Sequence, residues 1–269
     1  MRISLRAQKA IEWLKRAQNP DGGIAAWLDG EHRHKSYPEV TGYLIPTLLA
    51  YEEKELAQKC ADWLVSIQHK DGSFDGLDGV PRTFDTGAIM EGIYAIGYVK
   101  EAAKAREWIE SQRNPHGSLR SQVDRDTDNF YNMRVEGLLG NKNHSTYQWF
   151  DSAKQRVHYL AYGLEGMFNL GYDIKDYLEK LPSFGLMPAY VESVWDGTNE
   201  SWKAVSGTDT TATAQIGVLR LKSGLPFDPQ ALYDLQRPDG GLPHDASDSR
   251  QICWAVKYFL DFERLYNAD

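Results

Sequence analysis

Only two cysteines, Cys60 and Cys253, occur in 269 residues, far apart and each inside a helical pattern. That excludes a disulfide framework and a cysteine-rich zinc site, and it fits a reducing compartment. No stretch approaches the roughly 20 consecutive apolar residues that span a bilayer. The opening MRISLRAQKAIEWLKRAQ has the pattern of an amphipathic helix and lacks a signal peptide's apolar run. We therefore expect a cytoplasmic protein without a membrane span. A basic surplus is also missing: 30 Lys and Arg stand against 38 Asp and Glu, a net charge of −8. Phosphate backbones need a basic surface, so a nucleic-acid partner is not expected. No Pro/Gly/Ser-rich linker or block of like charge divides the chain, so residues 1–269 are expected to form one domain.

What is present is enough apolar residue, 42%, to build a sizeable core, together with 15 Tyr and 8 Trp. Such rings fill cores, and they also suit sugar-stacking surfaces because an apolar face is joined to a polar rim. A helical segment ending in Gln and followed by a Gly-containing turn recurs along the chain. AIEWLKRAQNPDGGI ends its helix at Gln18, CADWLVSIQHKDGSF at Gln68, AREWIESQRNPHGSL at Gln112 and ALYDLQRPDGGLPH at Gln236. A degenerate copy, DYLEKLPSFGLMPAY, has Pro182 where the Gln should stand. The first spacings, 50 and 44 residues, are the length of two helices with their turns. Apolar residues in these segments follow one stripe, as in Ile11, Leu14 and Ala17, which marks outer helices with one wet face.

Between the copies lie YPEVTGYLIPTLLAYEE, FDTGAIMEGIYAIGYV, NFYNMRVEGLLG, QRVHYLAYGLEGMFNLGY, DTTATAQIGVLRL and RQICWAVKYFLDF, richer in apolar and small residues. Helices apolar nearly all round are buried on all sides, and Gly or Ala at their contacts permits close approach. Six inner helices alternating with five or six outer ones predict an all-α fold, an (α/α)6 toroid. An open α-solenoid follows the same repeat logic. The outer helix within residues 114–150 has no clear place.

Polar residues on a buried helix need a reason, because an unpaired interior charge costs several kcal/mol. Here they concentrate in the first turns of the inner segments: Tyr37, Glu39 and Thr41; Asp85 and Thr86; Tyr131, Asn132 and Arg134; Arg156, His158 and Tyr162; Asp209, Thr211 and Gln215; Trp254 and Lys257. If all inner helices start at one end, these groups converge on one mouth, where helix N-termini also favour an anion. Each has a plainer role too: Asp85 and Asp209 as N-caps, Glu39 as a capping or ion-paired residue, His158 as a core histidine, and Arg134 as a snorkelling stem.

These inner segments, SYPEVTGYLIPTLL above all, resemble those of the prenyltransferase-like or terpenoid-cyclase-like α/α toroid proteins of bacterial polysaccharide biosynthesis clusters. The likeness runs along nearly the whole chain and implies the toroid fold and a glycan context. Class II terpenoid cyclases in the wider superfamily carry an Asp-x-Asp-Asp-Thr-Ala acid motif. The nearest match, Gly207 to Ala212, keeps Asp209 alone, and Asp124, Asp126 and Asp128 lack the adjacent Asp pair. Related protein prenyltransferases hold zinc through Asp, Cys and His, a set that neither cysteine here completes, so no metal and no cofactor are expected.

Three functions fit. The first is a carbohydrate-active enzyme on an acidic glycan, acting by proton abstraction beside a carboxylate (epimerase or lyase) or by hydrolysis. Its catalytic candidates are Glu39, His158, Tyr37, Asp85 and Arg134, with the other mouth residues binding a glycan or sugar-containing small molecule. The second is a non-catalytic glycan-binding or assembly protein using the same mouth. The third is a diverged isoprenoid enzyme, which calls for a deep aromatic cavity. The sequence leaves the oligomeric state open.

Overall fold

The computed structural model describes residues 3–122, 125–128, 130–142, 154–182, 185–195 and 200–268. Helix α1 (Leu5–Ala17) is followed by strands β1 (Trp27–Asp29) and β2 (His32–Arg33), then by α2 (Pro38–Ala50), α3 (Lys54–Ile67), α4 (Thr83–Ala95) and α5 (Val99–Ser111). Strands β3 (Arg120–Gln122) and β4 (Arg125–Asp128) lead through a 3-10 turn (Phe130–Asn132) into α6 (Met133–Leu139). Next come β5 (Lys154–Arg156), α7 (Val157–Asn169), the short α8 (Lys175–Glu179) and the strands β6 (Pro188–Trp195) and β7 (Glu200–Thr208). Helices α9 (Thr210–Lys222) and α10 (Gln230–Leu235), strand β8 (Gln251–Ile252) and helix α11 (Cys253–Tyr266) end the described chain.

The two helix classes are physically distinct. Outer helix α1 buries a stripe that includes Ala7, Ala10, Ile11, Leu14 and Ala17, and Ser4 caps it by accepting a hydrogen bond from the Ala7 N–H at 3.0 Å. Inner helix α9, by contrast, buries every residue from Thr210 to Arg220. Contacts run from α2 to α4, α6, α7, α9 and α11, and from α11 back to α2, a closed circuit of six helices. Helix α1 lies against α11, α3 against α2 and α4, α5 against α4, and α8 and α10 against α9.

The recurring Gln and Gly have a shared task. The side-chain amide of Gln18 donates to the Gly22 carbonyl at 2.9 Å, Gln68 to Gly72 at 3.1 Å and Gln236 to Gly240 at 3.3 Å. Each of these glycines has φ near +100°, a conformation costly for residues with a Cβ. In the third copy Arg113 takes over, donating to the Gly117 carbonyl at 2.8 Å. The chain then returns to the next inner helix, where a threonine holds it: Thr41 Oγ1 accepts from the Ile24 N–H at 2.9 Å, Thr86 Oγ1 from Phe74 at 3.2 Å and Thr213 Oγ1 from Met187 at 2.9 Å. At the third position Asn132 donates instead to the Leu119 carbonyl at 3.1 Å.

The expectation of an all-α chain needs correction. Among the described residues eight strands form three antiparallel sheets, ordered β2-β1-β8, β3-β4 and β5-β6-β7. The largest pairs Pro188 with Thr208, Val191 with Ala204 and Ser193 with Trp202, with a register shift between Tyr190 and Val191. Its β-branched and aromatic residues, among them Tyr190, Val191, Val194, Trp202 and Val205, suit a pleated surface. Strands β3 and β4 occupy part of the interval where no outer helix could be placed. Residues 143–153, the rest of that interval and its border, lie outside the described residues, as does Asp124.

Glycine sets how closely the inner helices approach. A Cβ on Gly92 would stand 2.1 Å from the Gly42 carbonyl oxygen, and one on Gly166 would stand 1.9 Å from that of Met133. These are backbone contacts, so no side chain can move aside. We expect Gly92→Ala to destabilise the fold by about 1–3 kcal/mol, the usual cost of overpacking, measured as a lower urea midpoint with an unchanged slope.

Candidate functional site

A cavity of about 440 Å³ opens where α2, α4, α7 and α11 begin. Its wall holds eight of the residues singled out from sequence: Tyr37, Glu39, Asp85, Tyr131, Arg156, His158, Tyr162 and Trp254. Sequence reasoning missed Tyr43, Leu77, Asp78, Arg82, Phe84 and Tyr159. Tyr43 was recoverable, since it follows Glu39 by one helical turn. Arg82 and Asp78 sit in the loop ahead of α4, where no periodicity points inward, and they pair with each other.

The remaining candidates have other placements. Thr41, Thr86 and Asn132 serve the loop contacts described above. Asp209 is the N-cap of α9, its Oδ1 accepting from the Ala212 N–H at 2.9 Å. Thr211 is fully buried and does not line the cavity. Arg134 and Lys257 line a second cavity on the far side of the circuit, as does Gln215. Arg134 starts near the mouth, but its long side chain runs to carboxylates further along the neighbouring helices, Glu91 at 2.6 Å and Glu165 at 3.2 Å. Lys257 pairs with Asp261 one turn along α11, at 2.8 Å. Cys253 donates its thiol to the Ala25 carbonyl at 2.6 Å, and among the described residues no three His, Cys, Asp or Glu side chains converge as metal ligands.

Two buried carboxyl groups share the mouth with the exposed Asp78. Glu39 and Asp85 are 8% and 4% exposed, and neither has an ion-pair partner among the described residues. Asp85 is not the cap of α4, where Arg82 stands, and its Oδ2 has no hydrogen-bond partner among the described residues. Burial pushes Glu39 up to about 7, opposed by a hydrogen bond from Tyr37 and by the charges of Arg134 and Arg82. Burial likewise raises Asp85 well above the ordinary aspartate range, and the neighbouring charge of Glu39 adds to it. Near neutral pH the pair therefore holds a proton and can donate it.

His158 faces the opposite constraint. Burial lowers it to about 4, against the favourable pull of Asp209 and a hydrogen bond to Gln215, so the ring is neutral at neutral pH. Its Nδ1 lies 2.7 Å from Gln215 Oε1, which can only accept. Nδ1 therefore carries the proton and Nε2 keeps a lone pair. Around these groups rings meet edge to face, Phe84 with Tyr162 at 4.6 Å and with Tyr131 at 4.9 Å, and separately Tyr37 with Trp254 at 6.4 Å. Arg156 lies over the Tyr159 ring at 5.0 Å and has no carboxylate partner among the described residues. The site thus combines a proton-donating pair, a neutral imidazole, aromatic faces and an arginine that has no carboxylate partner among the described residues.

No family model matches the chain, and no curated protein matches it in sequence. Solved structures do. A protein described as a novel alpha-amylase from Clostridium perfringens is similar over 98% of this chain and 98% of its own, with 12% identity and a TM-score of 0.70. A variant of the type II terpene cyclase MstE from Scytonema, in complex with geranylgeranyl dihydroxybenzoate, matches over 97% and 96%, with 13% identity and a TM-score of 0.66. An unsaturated glucuronyl hydrolase specific for heparin matches over 98% and 96%, with 15% identity and a TM-score of 0.65. At such identities the likeness is one of fold. Among the described residues no helix is long and apolar enough to cross a membrane.

The buried carboxyl pair makes stability depend on pH. The folded value of Glu39 lies above its unfolded value, so its contribution is favourable below about 4.5 and is lost as pH rises through about 7. Glu39→Gln removes that loss. We expect the variant to match the parent near pH 4 and to exceed it at pH 8 by about 3 kcal/mol, read from urea unfolding at the two pH values.

Proposed function

We propose that this chain is a carbohydrate-active enzyme of α/α toroid fold, one domain whose six inner helices form the barrel, and that it cleaves glycosidic bonds in an acidic saccharide. The observation that carries this reading is the Glu39–Asp85 pair, buried together and holding a proton near neutral pH. A protonated carboxyl of the pair donates to the glycosidic oxygen as the bond to the sugar breaks. The partner, once ionised, stabilises the positive charge that develops on the sugar carbon, and water supplies the new bond. Arg156 meets a sugar carboxylate at the rim, and the tyrosines and Trp254 stack on sugar faces. Two of the similar structures carry names of enzymes that act on glycans, which supports the substrate class. The resemblance of the inner segments to proteins of polysaccharide clusters supports a role in polysaccharide biosynthesis or modification.

The neutral His158, with Nδ1 held by Gln215, favours a second chemistry at the same substrate: abstraction of the proton beside a uronate carboxylate, leading to elimination or epimerisation. Product analysis separates the two, because hydrolysis incorporates water whereas elimination leaves an unsaturated sugar. The aromatic wall also suits an isoprenoid cation. Protonating an alkene demands a strong acid, however, and burial makes Glu39 and Asp85 weaker acids than usual.

Turnover of uronate-containing oligosaccharides, followed by mass spectrometry, tests the proposal. Glu39→Gln and Asp85→Asn should each lower kcat by about 10²-fold or more. Activity should rise as pH passes about 7, where Glu39 ionises and its charge holds the remaining proton on Asp85. Tyr37→Phe removes a hydrogen bond that favours the carboxylate, so this rise should move to higher pH. Unchanged turnover in both carboxyl variants would sink the assignment.

A further inference from the structure

The second cavity, about 170 Å³, lies toward the C-terminal ends of the inner helices and shares a single wall residue, Tyr43, with the first. Its lining is charged rather than apolar. Four cationic side chains, Arg134, Lys222, Lys257 and Arg264, face three carboxylates, Glu91, Glu165 and Asp261. The carboxylates are engaged: Arg134 reaches Glu91 and Glu165, and Lys257 reaches Asp261. Donors are left over. Arg134 is 2% exposed, yet its Nη1 has no partner among the described residues, and the same holds for Gln215 Nε2 and the Tyr258 hydroxyl. At the mouth, Lys222 and Arg264 are exposed and unpaired with any carboxylate among the described residues.

Unpartnered buried donors are costly, and charged ones more so. A group that satisfies several at once must offer acceptor oxygens and negative charge. The helix C-termini at this end disfavour an anion, but Lys222 and Arg264 lie in the last turns of α9 and α11 and offset those partial charges. We propose that this cavity is a second binding site, for a small oxyanion such as a carboxylate or phosphate group, held by Arg134 Nη1, Gln215 Nε2 and the Tyr258 hydroxyl, with Lys222 and Arg264 guiding entry. Planar guanidinium donors suit both kinds of oxyanion. The site stands independently of the chemistry assigned to the first cavity.

Isothermal titration of the whole chain with inorganic phosphate, and separately with acetate, tests this site. One probe or both should bind with one-to-one stoichiometry. The affinity should fall about tenfold or more in the double variant Lys222→Glu/Arg264→Glu, whose side chains are exposed and therefore dispensable for folding. Arg134→Lys, which keeps the charge between Glu91 and Glu165 but removes the free nitrogen, should weaken binding too. Arg156→Ala, in the first cavity, should leave it intact. A preference for phosphate assigns a phosphorylated ligand, and one for acetate assigns a carboxylate. Absence of binding by both probes, indifference to the Lys222/Arg264 change, or loss in Arg156→Ala would overturn the proposal.

Discussion

Backbone-to-backbone contact between inner helices is the constraint on which the rest of the structure depends. Gly92 approaches the Gly42 carbonyl, and Gly166 that of Met133, too closely for a side chain on either. Helices drawn together this tightly bury their whole circumference, as α9 does over Thr210–Arg220. Polar side chains on such helices have three outlets: a loop backbone, a partner of opposite charge, or a cavity at one end. Most of the polar residues of the inner helices follow one of these routes; Thr211, buried with no hydrogen-bond partner for its hydroxyl among the described residues, does not.

The outlets are distributed by side-chain length as well as by position. Thr41 and Thr86 are short and meet the returning loop. Arg134 is long and passes the mouth to reach Glu91 and Glu165. Glu39 and Asp85 lie between these extremes, buried and without an ion-pair partner among the described residues, and their acidity shifts accordingly. Between the two polar ends stand Tyr43, Tyr162 and Tyr258, with Tyr258 at 6.0 Å from each of the other two ring centres. Their apolar faces separate two charged environments that helices alone would leave continuous.

The repeat that organises the chain is a folding device. Its Gln closes a turn by donating to a carbonyl four residues on, and its Gly supplies the positive φ that the turn requires. Where the third copy departs, Arg113 provides the same donor and ties it to Glu136 on α6. The site draws nothing from these turns directly. It depends on them because they fix where each inner helix begins.

Sequence alone determined the helical hairpins, the split into inner and outer helices, and the end at which polar groups gather. Those features follow from local periodicity and turn chemistry, which act over a few residues. It also pointed to Glu39, Asp85, His158 and five further residues of the mouth, because polar groups on an otherwise apolar helix stand out. Only the tertiary structure decided which of the sixteen candidates meet. Arg134 and Lys257 begin on the same turns as mouth residues but turn away, since the carboxylates that attract them come from positions distant in sequence or further along a helix. Arg82 and Tyr159 enter the mouth without a periodic signal, and the strands near Tyr190 and Trp202 exist because a partner strand is there to pair. Contacts of that kind are set by which surfaces the closed circuit brings together, a property no local pattern encodes.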